Sequence, residues 1–272
     1  MMYFLLFYRL ARPMKRKNID RKYEIFVLFR IRTRYNGFIK EAKKTLKGIL
    51  KMCKPCFVSW SGGKDSCLAL YKAKEQGFAP QKLLTMFSLE NDISSAHRLK
   101  ESVIKAQALA LGMDHVTGRA RFEDYEKIFI ENLIEFKKQG IGYGVFGDID
   151  LEEHRQWEEN VCRKASMTAV LPLWQRDRED IVLEFLELGF KAKIIVVNTA
   201  QMDMRFLGQD LSVLLLKEIE AQGADVCGEN GEYHTVVYDG PTFRKPVDLQ
   251  FGHRIIPVGE TWAQIEVDAQ NR

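Results

Sequence analysis

Six consecutive residues, Ser61, Gly62, Gly63, Lys64, Asp65 and Ser66, gather two hydroxyls, a cation, a carboxylate and two residues without a Cβ. Glycines let backbone N–H groups approach an anion closely, and at the start of a helix those N–H groups are unpaired and carry positive partial charge. Ser61 and Ser66 add hydroxyl donors and Lys64 adds a full charge, so the chemistry this run serves is the binding of phosphate. The spacing excludes the Walker loop, which needs a glycine five residues before the Gly-Lys pair, where this chain has Val58.

Two further stretches carry reactive side chains. Residues 144–146 read as a buried strand that breaks at Gly147, Asp148, Ile149 and Asp150. A carboxylate at the carboxyl end of such a strand, near a phosphate site, is placed to hold Mg²⁺, which takes oxygen ligands. Asp148 suits that role and the capping of the next helix equally well, while Asp150 is read as a cap. His154 and Arg155 follow on that helix, and a lone histidine has many ordinary uses, so His154 is given no role. The second stretch is Glu229, Asn230, Gly231, Glu232, Tyr233, His234 and Thr235, preceded by Cys227 and Gly228. Its polarity reads as too high for core, Asn230-Gly231 is a hairpin turn signal, and composition alone leaves a surface turn and a binding site open.

The elements that must position these groups follow from periodicity. Cys56, Phe57 and Val58 form an apolar run that stops at the glycines, and a pattern of helical period runs from about Asp65 to Gly77: strand, tight turn, helix. Short apolar runs then alternate with amphipathic stretches to about residue 199, the sign of βαβ units and an α/β fold with a parallel sheet. Strands are expected over 82–87, 115–118 and 192–198, and helices over 96–111, 122–139, from 152 and over 178–188. Beyond residue 199 a helix is expected over 206–220, then short strands at 236–239, near Phe243 and over 255–267. The expected division is a basic extension over 1–51, a nucleotide-binding domain over 52–199 and a substrate-binding domain over 200–272.

The run from Ser61 to Ser66 resembles the SGGKDS signature of the PP-loop (N-type) ATP pyrophosphatases, which cleave ATP between its α- and β-phosphates. Phe146-Gly147-Asp148-Ile149, Pro172-Leu173-Trp174, the Cys227-to-Thr235 segment and Asp239-Gly240-Pro241 narrow the resemblance to the diphthine–ammonia ligase branch. It covers about Cys56 to Phe243. It implies a helix-flanked parallel sheet of the adenine nucleotide alpha hydrolase-like kind, with a smaller C-terminal α+β domain. It also implies ATP and Mg²⁺ as cofactors, with ATP's phosphates on Ser61, Gly62, Gly63, Lys64, Asp65 and Ser66 and with Gly147 and Asp148 beside them. Lys64 and Asp65 would be catalytic and Asp148 the metal ligand, while Glu229, Asn230, Gly231, Glu232, Tyr233, His234 and Thr235 would bind substrate. The reaction implied is adenylation of a carboxylate, then amination by ammonium, with a modified histidine of elongation factor 2 as the acceptor. No glutaminase segment is recognisable, which implies free ammonia or a partner as nitrogen source; a homodimer is left open.

Charge is divided along the chain. Residues 1–51 hold fifteen of the 41 Lys and Arg against three of the 37 acids, so their surplus of twelve positive charges faces a deficit of eight over the rest. Relatives of this branch begin near the first strand, and the abrupt shift favours reading 1–51 as an added segment without function, Met52 being the natural start, over a nucleic-acid arm. Its apolar runs are too short to span a bilayer, so no membrane is expected. The five cysteines are scattered and odd in number, which suits a reducing cytoplasm, and Cys53/Cys56 alone lacks the four ligands of a structural zinc. Two competing functions share the phosphate loop. One is tRNA thiolation or lysidine-type modification, disfavoured because an acidic body repels tRNA. The other is a non-catalytic ATP-binding module, disfavoured by the intact Lys64 and Asp65.

Overall fold

A computed structural model of the chain describes residues 54–270. Residues 1–51 and Cys53, about which expectations are given above, lie outside the described residues.

The central strand, β1 (Lys54–Ser59), fully buries Cys56, Phe57 and Val58 because strands flank it and helices cover both its faces. It pairs in parallel with β2 (Phe78–Ser88) and β4 (Tyr143–Val145), β3 (Asp114–Ala120) pairs with β2, and β5 (Thr168–Val170) with β4. The order is β3-β2-β1-β4-β5, so chain direction out of β1 reverses between β1 and β4. A crevice opens at the carboxyl ends of those two strands, the usual ligand position in such sheets.

Side chains alternate across the sheet and recruit a helical layer on each face. Cys56 and Val58 meet Leu68 and Leu70 of α1 (Lys64–Glu75) and Val103 and Ile104 of α2 (Glu101–Leu111). Phe57 points the other way, into Phe129 and Phe136 of α3 (Tyr125–Lys138) and the core shared with α4 (Glu152–Lys164). Beyond β5 come α5 (Arg178–Glu187), β6 (Lys191–Asn198), α6 (Val213–Ala221), β7 (Tyr233–Asp239), β8 (Leu249–Val258) and β9 (Trp262–Ala269). These four strands form a second, antiparallel sheet in the order β7-β6-β9-β8. Its Ile194, Val196, Val236 and Val237 join the core of α1 and α2.

Several local expectations change. Strand 192–198, read with the nucleotide-binding half, belongs to the second sheet, since a buried apolar run carries no label for its partner. The helix expected from residue 96 starts at Glu101, because Ile93 and Lys100 form a β-bridge and Arg98 adopts φ +57°. The helix expected from 206 starts at Val213, where Ser212 Oγ accepts the Leu215 N–H; residues 208–211 are drawn alongside β6, with Leu211 N donating to Ala192 O. Phe243 lies in a turn, and Asn230-Gly231 lies in the loop leading into β7 without joining two strands. Nor is that stretch wholly superficial: Cys227, Glu232, Tyr233 and Thr235 are buried.

Candidate active site

The phosphate loop is held from three sides. β1 runs out at Ser59 and Trp60 anchors the chain, its indole N–H donating to Gln107 Oε1 at 3.0 Å. Gly62 takes φ +83°, and a Cβ there would lie 2.7 Å from Gln107 Oε1. Gln107 Nε2 in turn donates to the carbonyls of Gly62 and Val237, and Val237 N donates to Gly62 O. At Gly63 a Cβ would strike the His97 ring at 2.0 Å. The α1 helix thus begins at Lys64 with its first N–H bonded to Thr235 Oγ1 at 3.1 Å, a side chain supplied by β7. Ser61, Ser66 and Gly63 close the turn among themselves. Gly147, after β4, packs so closely on the first turn of α1 that a Cβ would come within 2.9 Å of Ser66 N.

In front of this turn lies a cleft of about 300 Å³. It brings together Ser61, Lys64, Asp65, Ser66, Gly147, Asp148, Glu229, Gly231, Tyr233, His234 and Thr235, whose types suggested a site in the sequence. Gly62 and Gly63 shape the loop from behind. Asn230 and Glu232 face away: the buried Glu232 carboxylate accepts from Asp225 N, Asn230 N and Asn230 Nδ2, so it ties the loop to itself.

Charge in the cleft is paired across the two halves. Burial opposes the Lys64 charge, but Asp65 at 2.8 Å, together with Glu229 at 3.9 Å, holds its pKa well above the ordinary value. The Tyr233 ring lies 5.6 Å from Lys64 Nζ, with its hydroxyl committed to Val226 O at 2.6 Å. Burial and Asp65 push Glu229 up to about 8, against the pull of Lys64. His97 Nδ1 lies 2.8 Å from Thr235 O, and burial keeps its imidazole neutral, so Nδ1–H donates and Nε2 keeps its lone pair. Burial and His97 also push His234 down to about 3; its ring stands 4.7 Å from that of His97 and stacks on Trp262 at 5.6 Å.

Family models described as the diphthamide synthase N-terminal domain and C-terminal domain match residues 55–169 and 177–268. The chain belongs to the diphthamide synthase family. It is 28% identical to the human diphthine–ammonia ligase over 75% of this chain and 86% of the human one, and 29% identical to the Bos taurus diphthine–ammonia ligase over the same shares. Among solved structures, a protein described as a predicted subunit of tRNA methyltransferase from Methanocaldococcus jannaschii is similar at 15% identity, over 69% of this chain and 97% of that one. Its TM-score of 0.37 is too low to bear on the fold, which rests on the sheet topology. As a diphthamide synthase family member the chain is an ATP-dependent ligase.

Two acids of this family member take places the sequence did not suggest. Asp148 Oδ1 meets His154 Nδ1 at 2.7 Å, and the buried Glu158 carboxyl lies against the same carboxylate. Burial and Asp148 push Glu158 up to about 11, so Glu158 keeps its proton and donates it; with His154 it holds Asp148 below the ordinary carboxylate range despite burial. The His154 contact thus already occupies one Asp148 oxygen. Asp65 offers a better oxygen for Mg²⁺, because its Oδ1 is buried without a partner. Asp65, Cys227 and Glu229 have potential ligand atoms within 4.8 Å of one another, and burial raises the Cys227 thiol, which leaves the two carboxylates as the hard ligands. Asp150, read as a helix cap, pairs with Arg178 instead. His97, Gln107 and Arg178 were missed, each a polar residue whose partners lie far along the chain, while His154, given no role in the sequence, pairs with Asp148.

Proposed function

We propose that the enzyme adenylates a carboxylate with ATP and then replaces AMP by ammonia; the names of its relatives point to diphthine as the acceptor, and the family resemblance to elongation factor 2 as its carrier. One observation carries this reading: a single cleft places an anion cradle at the α1 N-terminus against a wall of carboxylates and neutral imidazoles. The cradle suits the β- and γ-phosphates, whose negative charge Lys64 and the first-turn N–H groups of α1 offset. The adenine is placed beside the carboxyl end of β2, next to Leu84, Thr85, Met86 and Ala96, whose small slot it would have to widen. Mg²⁺, for which Asp65 and Glu229 are the fitting residues, would neutralise phosphate charge when bound.

In the first step a carboxylate oxygen bonds to the α-phosphorus while the α–β bridge breaks and pyrophosphate leaves with the electron pair. Then ammonia bonds to the acyl carbon, the bond to AMP oxygen breaks, and the amine sheds a proton. Glu229 and His234 offer acceptors to ammonium, and the remaining work is positioning. We place the boundary between ATP and substrate domains between residues 170 and 178, where the first sheet ends. The cytoplasm is the compartment we expect, since the four cysteines among the described residues are buried free thiols, and no helix among them is long and apolar enough to cross a membrane. We expect no nucleic-acid partner, because the chain after residue 51 is acidic.

The test is incubation with ATP, Mg²⁺, ammonium chloride and diphthine-bearing elongation factor 2. The expected outcome is AMP, pyrophosphate and conversion of acid to amide by mass. Release of ADP and phosphate, or ATP binding without turnover, overturns the reading.

A further inference from the structure

We propose that Arg178 is a positioning residue whose guanidinium sets the gap between the loop carrying Asp148 and the loop carrying Glu229, and with it the width of the cleft where acceptor and ammonia meet. Its Nε and Nη2 grip the Asp150 carboxylate at 2.7 and 2.8 Å, while Nη1 reaches Asp225 Oδ2 at 2.5 Å and Asn230 Oδ1 at 3.0 Å. Among the described residues, no other side chain is hydrogen-bonded to both of these loops. The grip passes directly to Glu229: Asp225 accepts the N–H groups of Cys227 and Glu229, and Glu232 accepts those of Asp225 and Asn230. Displacing the guanidinium would therefore shift the backbone that aims Glu229 at Lys64.

Local rules do not account for an arginine here. Arg178 is the first residue of α5, where the helix dipole disfavours a cation, and Asp177 already caps that helix by accepting from Glu179 N and Asp180 N. A planar fork that serves a carboxylate on one edge and two acceptors on another is something lysine cannot reproduce. The effect on catalysis rests on the proposed amidation; the clamp itself does not.

The test compares wild type with R178K, D150N and R178K/D150N in the full chain, each first shown to melt cooperatively. In R178K we expect amide hydrogen exchange over residues 225–232 to quicken about tenfold, with α1 unchanged. With ATP, Mg²⁺, ammonium chloride and diphthine-bearing elongation factor 2, we expect KM for ammonium to rise about tenfold, the ATP Kd to stay within about twofold, and the double variant to be no worse than R178K. Unchanged exchange over 225–232, equal loss of ATP affinity, or additive losses in the double variant overturn the proposal. If the wild type itself leaves that acceptor untouched, the amidation reading fails and the exchange arm alone decides for or against the clamp.

Discussion

The cleft confines one cation among several acids, so single side chains there have sharply different roles. Lys64→Ala is expected to raise the ATP Kd about a hundredfold, or about 2.7 kcal/mol, because it removes the phosphate partner and leaves Asp65 and Glu229 facing each other. Isothermal titration with a non-hydrolysable ATP analogue reads this directly. Glu158 behaves in the opposite sense. Its pKa rises from an ordinary 4.5 to about 11 in the folded chain, so between those values the unfolded chain has lost a proton that the folded chain keeps. Stability from this group is complete below pH 4.5 and falls as pH rises toward 11. Glu158→Gln keeps a neutral donor toward Asp148 without that loss, and urea melts at pH 8 should show the variant more stable, by up to about 5 kcal/mol if the whole shift is realised, with the difference vanishing near pH 4.

Among the elements, the strand-turn-helix of β1 and α1 depends on close approach as much as on conformation. Gly147→Ala drives a methyl into the backbone of Asp65 and Ser66, and a cost of about 1–3 kcal/mol is expected, with ATP affinity falling because the first turn of α1 must shift. Thermal melts with and without ATP separate the two effects. Much of this arrangement was legible in the sequence, since glycine turns, apolar runs and helix ends are local signals: α1, α2 and α3 end at or within two residues of the expected positions, each followed by a glycine of positive φ, Gly77, Gly112 and Gly140. What stayed hidden depends on contacts distant in the chain. Gln107 reads as an ordinary polar residue on an amphipathic helix, yet it is fully buried and binds Trp60, Gly62 and Val237. His97 sits in a stretch whose composition reads as helix, while β-bridges and a left-handed Arg98 turn it toward Gly63. Glu232 looked like a surface or ligand-binding acid because the N–H groups it satisfies exist only once the loop is folded.

For the molecule as a whole, the division of charge yields a prediction of its own. A chain started at Met52 is expected to keep its melting temperature and its AMP production, since among the described residues the whole lining of the cleft lies after it. A loss of turnover on that truncation would show that the basic segment takes part in the reaction.

The hydroxyl that pairs the first N–H of α1, in the turn proposed to cradle the nucleotide, is borrowed from a strand 171 positions further on. Until the last third of the polypeptide has been made and has docked, Lys64 N lacks this partner, and a ribosome-bound fragment ending before Thr235 would carry an unfinished cradle. On the proposed reading, an acceptor that strains β7 would disturb the first turn of α1, against which the triphosphate is placed.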